Sequence, residues 1–213
     1  MNSNFVFTSR TSSLVLLWSF TFFGVIGILS PYEHWFLVLT PLNLLMYFVV
    51  VLWNIERFKK TYFIPLLIPF VIGFIVEALG VNFGWIFGDY TYGKNLGQKI
   101  LGVPIMICIN WLVLTACTSQ LAKSFTSNYW LSCFIGALMM TVLDVIIEVS
   151  APRFDFWEFK GGEVPFQNYI GWLITAFLAH LAYQKFNVPT NKIVSIHVML
   201  AITIFFSVFL IFR

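Results

Sequence analysis

Apolar runs of roughly 17 or more residues recur along the whole chain, and a run of that length is what crossing a bilayer requires. Inside hydrocarbon every backbone N–H and C=O must be satisfied within the chain, which leaves helices or a closed barrel. The runs lack the polar/apolar alternation of barrel strands, so helices are expected. Composition agrees: 60% of the 213 residues are hydrophobic and 10% are charged, against roughly a quarter charged in soluble domains.

The pattern predicts an all-α, polytopic bundle of about seven transmembrane helices, forming a single membrane domain over residues 1–213. The spans fall at roughly 13–29, 35–53, 62–80, 100–121, 129–150, 165–184 and 192–212. Trp35, Trp53, Tyr62, Tyr129 and Trp130 mark span ends as interfacial aromatics do. The first run follows Arg10 and lacks a small-x-small cleavage site before Ser30-Pro31, so it is expected to be a retained helix. Cys108, Cys117 and Cys133 lie in apolar runs without metal-ligand or CxxC spacing, and are expected as small core residues.

Seven spans would put the termini on opposite faces. Arg10, Arg57, Lys59, Lys60, Lys123, Lys185 and Lys192 then share one face with Glu56. The other carries Lys94, Lys99, Arg153, Lys160 and Arg213, balanced by Glu33, Asp89, Asp155, Glu158 and Glu163. The positive-inside rule places the N-terminus in the cytoplasm, and a multi-pass protein of the cell (inner) membrane is expected. The basic face suits anionic membrane lipids, and no nucleic-acid partner is implied.

Three acids stand within apolar spans: Glu77, Asp144 and Glu148. Ionisable groups at that depth are costly and mark functional sites by default. Asp144 and Glu148 are spaced i,i+4 and share a helix face. In the predicted topology Glu77 lies about one turn from the outer end of its helix, and the pair within two turns of theirs. Asn110 falls near mid-membrane, and Gln167, Asn168 and Trp172 open the sixth span. All belong to the outer half of the bundle, beside the long Gly- and aromatic-rich loops 81–99 and 151–164. The bland alternative is acids that merely reach headgroups, or a structural polar cluster. His180 and His197 are expected as interhelical hydrogen-bond or packing residues and His34 as interfacial, while most of the Phe residues should face lipid.

No Ser-His-Asp order, phosphate loop, HExxH or Cys cluster is present, so neither a metal nor a nucleotide cofactor is implied. Carboxyls, amides and aromatics in a greasy bundle suit acid–base work on a lipid-soluble substrate. A carboxyl in apolar surroundings is pushed toward its neutral form and can act as a general acid. Protonating an alkene needs such an acid, with carboxylates or aromatic faces to stabilise the carbocation.

Two blocks carry a family resemblance. Glu77-Ala78-Leu79-Gly80-Val81-Asn82 runs on through Phe87-Gly88-Asp89-Tyr90-Thr91-Tyr92 to Leu101-Gly102-Val103-Pro104 and Asn110-Trp111. The second is Gly136-Ala137, then Asp144, Trp157, Pro165, Asn168 and Gly171-Trp172. Over roughly residues 70–175 the chain resembles the carotenoid hydratase family of membrane proteins. It departs from the family pattern at Phe83, where a Thr is usual, at Ile86, where a Pro is usual, and at Pro152, which comes later than expected.

The resemblance implies addition of water across the terminal double bond of an acyclic (ψ) carotenoid end, such as lycopene or γ-carotene carries, without a cofactor. Asp144 is expected as proton donor from its depth and its place in the matching block, with Glu77 and Glu148 positioning water or stabilising the cation. Asn110 and Asn168 would orient the acids, and Asp89, Tyr92, Trp111, Trp157 and Trp172 would orient substrate or water. Other carotenoid-pathway enzymes are plausible partners for passing on an insoluble substrate. A carotenoid end-group cyclase shares the same cation and is the alternative, with product mass as discriminator. A proton or ion transporter would need polar residues through the cytoplasmic half, where few occur beyond Ser119, Thr175 and His180, so that reading ranks third. A retinal Schiff base is excluded, since no lysine lies between Lys192 and Arg213.

Overall fold

Local chemistry sets the ends of most helices in this computed structural model, which describes residues 9–212. Helix α1 (Ser9–Ile28) is closed by the Ser30 hydroxyl, which donates to the Gly27 carbonyl at 2.7 Å. The second predicted span is broken in two, α2 (Glu33–Val38) and α3 (Thr40–Trp53). Pro41 stands in the first turn of α3; it has no N–H to continue a helix from α2 and restricts the residue before it. A single 3-10 turn, Lys60–Tyr62, leads into α4 (Phe63–Phe83), which ends on Gly84 in the left-handed region (φ 67°).

Helix α5 (Ile105–Ala122) starts five residues later than the predicted 100, a correction with a clear cause. Strands β2 (Lys99–Ile100) and β3 (Val103–Pro104) form a minimal hairpin, turning through Leu101 and Gly102 at φ 50° and 82°. Helix α6 (Tyr129–Glu148) starts where the Asn128 side chain accepts the Leu131 N–H at 3.0 Å, and α7 (Phe166–Gln184) follows Pro165. Asn191 caps α8 (Lys192–Ile211) by accepting from Ile193 and Val194. Arg213, counted above with the outer charges, lies outside the described residues.

Among the described residues, five helical segments are long and apolar enough to cross a membrane: Ser9–Ile28, Lys60–Phe83, Ile105–Ala122, Tyr129–Glu148 and Lys192–Ile211. Helix α3 is shorter, and the apolar character of α7 is interrupted by Gln167, Asn168, Thr175, His180 and Gln184. The molecule is thus a mostly helical, membrane-type bundle.

Helix α5 is its axis. It buries most of its length and packs against α3, α4, α6, α7 and α8. Helix α1 belongs to the bundle, with Leu17 fully buried and the Trp18 indole donating to His197 Nδ1 at 3.0 Å. The outward faces are apolar, as at Phe22, Phe23, Leu67, Ile75 and Ile174. Not all Phe is lipid-facing, however: Phe87, Phe154, Phe156, Phe159 and Phe209 are core residues. All three cysteines are buried and free.

The two long loops sit at the same end of the bundle and are stitched together. Strand β1 (Tyr90–Tyr92) pairs antiparallel with β4 (Trp157–Phe159), placing Tyr90 opposite Phe159 and Tyr92 opposite Trp157. Alternation along a strand puts these four rings on one face and Thr91 and Glu158 on the other.

Candidate functional site

The inner face of that ribbon covers a narrow cavity of about 30 Å³, room for one or two waters. Helices α4, α5, α6 and α7 supply its walls, and all three intramembrane acids line it. Glu77, Asp144, Glu148 and Asn168 are 3%, 2%, 5% and 1% exposed, so none is an acid or amide reaching for headgroups. Because α4 runs on to Phe83, Glu77 stands nearly two turns from its end rather than the one predicted.

The hydrogen-bond donors are shared unequally. Glu77 accepts from Trp111 Nε1 at 3.0 Å on one oxygen, and from the hydroxyls of Tyr92 (2.7 Å) and Tyr90 on the other. Burial and the neighbouring Glu77 charge push both phenols well above their ordinary range, so they stay protonated donors. Asn168 spends its two amide hydrogens on Asp144 Oδ2 (3.0 Å) and Glu148 Oε1 (2.9 Å), which ties the i,i+4 pair on α6 to α7. Trp157 Nε1 donates to the other Glu148 oxygen at 2.9 Å. Asp144 Oδ1 is left buried with no partner among the described residues.

The walls between the acids are aromatic. Trp111 stacks on Trp172 with centroids 4.5 Å apart and planes at 12°, and Phe87 lies 6.2 Å from Trp172. Trp111 can approach α4 because Gly73 stands one turn before Glu77: a Cβ there would come within 2.6 Å of the indole. Asn110 also lines the cavity, half-buried, though its side chain makes no hydrogen bond to an acid among the described residues.

Of the residues singled out from sequence, Glu77, Asp144, Glu148, Asn110, Asn168, Tyr92, Trp111, Trp157 and Trp172 converge on this cavity. Asp89 does not. It is exposed on the loop and pairs with Lys160 at 3.9 Å, since β1 turns Tyr90 inward and Asp89 outward. Tyr90 was missed, although its i,i+2 spacing from Tyr92 puts the two on one strand face. His180 and His197 make interhelical contacts, to Thr118 at 2.9 Å and to Trp18, as the sequence suggested. Ile86, where the family's Pro is usual, has φ 68°, which a proline ring cannot adopt, so this loop follows its own path.

Residues 37–212 match the family model described as "Carotenoid biosynthesis protein". Among curated proteins, the chain is 31% identical over 117 residues to bisanhydrobacterioruberin hydratase of Haloarcula japonica. That match covers 51% of this chain and 40% of the relative, so it spans less than half the relative's length. No solved structure matches the chain. The resemblance drawn from the two sequence blocks agrees with both findings.

Proposed function

Because this chain belongs to the carotenoid biosynthesis protein family, we propose that it hydrates the terminal double bond of an acyclic (ψ) carotenoid end group. The reading rests on the unequal treatment of the acids: Glu77 and Glu148 have donors on both oxygens, whereas Asp144 keeps one buried oxygen free.

Asp144 Oδ1 delivers a proton to the CH carbon of the terminal alkene. The π pair becomes the new C–H bond, and a tertiary cation is left on the neighbouring dimethyl carbon. The Glu77 carboxylate, held by three donors, and the Trp111 and Trp172 faces offset that charge. A water beside Asn168 and Glu148 supplies the electron pair for the C–O bond. Its surplus proton returns to the Asp144–Glu148 pair, which restores the acid. Nothing is oxidised or reduced, so the step draws on no electron carrier. With the basic face in the cytoplasm, the cavity would lie in the outer half of the inner membrane.

Expression in bacteria that accumulate lycopene or γ-carotene tests this directly. A product heavier by one water with an unchanged chromophore is expected. Unchanged mass with a shifted absorption band would replace hydration with cyclisation, and no conversion by membrane-inserted protein would remove both.

A further inference from the structure

At about 30 Å³ the acid cavity can admit no more than the tip of such a molecule, so the rest of the chain needs a place. We infer that it lies in an apolar slot behind the acids and reaches the lipid between α1 and α3. This rests on the hydration reading above, because a linear isoprenoid is the occupant argued for.

Three spaces adjoin in series. The acid cavity shares Ile107, Asn110, Ile147 and Trp157 with a second cavity of about 60 Å³ walled by α3, α5 and α8. That cavity in turn shares Ile28, Thr40, Asn43 and Phe205 with a cleft of about 290 Å³ between α1, α2 and α3. The cleft lies beside the α2–α3 break, where Thr40 lines both spaces. Gly24 lines it and lets the Phe205 ring come close, since a Cβ there would lie only 3.3 Å from that ring.

The wall between the first two spaces is loosely tied. The Asn110 side chain makes no hydrogen bond among the described residues, whereas Asn43 bonds the Tyr47 hydroxyl and only its buried Oδ1 lacks a partner. The Asn110 amide can therefore swing aside without breaking a bond, which is what an apolar chain threading past needs. A rival groove of about 610 Å³ between α6 and α8 meets the acid cavity only at Leu143, which is 2% exposed. It has no intermediate chamber, so the α1–α3 route is favoured.

The first test reads occupancy rather than turnover. The native cysteines are all buried, so Leu42→Cys in the cleft and Leu200→Cys in the α6–α8 groove can each be labelled by a lipid-soluble maleimide. Full-length acyclic carotenoid at about ten times its Kd should slow labelling about tenfold at Leu42→Cys and leave Leu200→Cys unaffected. Protection only at Leu200→Cys, or at neither, would overturn the slot.

Gly24→Phe adds a second reading. The ratio of full-length to short acyclic alkene hydrated should fall about tenfold, since a ring in the cleft obstructs only the longer chain. An unchanged ratio would also overturn the slot. If the wild type hydrates neither alkene, it is the hydration reading that fails, and labelling still decides the slot.

Discussion

Two buried polar clusters lie against the α6–α7 pair, about 12 Å apart along α6 as measured from Gly136 to Asp144. The one under the ribbon contains three carboxyls, a cavity and an acid oxygen with no partner. The other contains His180, Thr118, Ser132 and Gln184. There His180 bonds the Ala176 carbonyl at 2.7 Å and Thr118 at 2.9 Å, and Ser132 donates to Gln184 at 3.0 Å. The His180 ring lies so tightly on Gly136 that a Cβ there would collide with it. Ser119 Oγ and Gln184 Nε2 are left over, but no carboxyl is among the buried residues of this cluster. Buried polarity alone therefore does not mark a site. What separates the clusters is space, together with spare hydrogen-bonding capacity on an acid. The same contrast weakens the transport reading, since the second cluster locks helices together and offers no carboxyl to relay a proton.

Substitutions can break or sharpen this contrast. The largest effect is expected from Asp144→Asn, which keeps shape and removes the proton. Conversion should fall by about 10²–10⁴-fold at normal membrane levels, as read by pigment chromatography; full conversion would remove Asp144 as donor. Glu77→Gln comes next. Its amide N–H₂ would face groups that themselves donate, and the lost charge should cost about 10²–10³-fold in turnover. Turnover close to wild type would mean that Glu77 is structural, like His180.

Trp172→Leu removes a stacked face worth about 0.5–1.5 kcal/mol, so roughly a tenfold drop at most is expected, with the protein still folded. His180→Ala should behave in the opposite way. It should lower the unfolding midpoint in detergent, for a cost of about 1–3 kcal/mol, yet leave turnover per folded molecule unaffected. A large loss of turnover there would collapse the distinction between the clusters.

Much of the molecule was legible from the sequence because the relevant physics is local. Hydropathy sums over a window, so the long apolar helices and the three acids inside them could be read directly. The i,i+4 spacing of Asp144 and Glu148 needed only the helix period. The break at Pro41 was visible in principle, but hydropathy does not register a proline and the run read as one span. The start of α5 was missed for a related reason: Ile100, Leu101 and Val103 are apolar enough to extend a span, although they form a hairpin.

The sequence by itself determined a helical membrane bundle with acids toward one end, and the family blocks around them. Only the tertiary structure decided which donors each acid receives. Glu77 draws on Tyr90, Tyr92 and Trp111, which lie 13, 15 and 34 positions away, and Asn168 reaches back 24 and 20 positions to bridge Asp144 and Glu148. It also decided that Asp89 faces away while Tyr90 points in, because the pairing of β1 with β4 sets which strand face covers the cavity. Hydrogen bonds depend on ångström-scale distances between distant segments. Windowed hydropathy carries no information about those distances, and packing alone sets them.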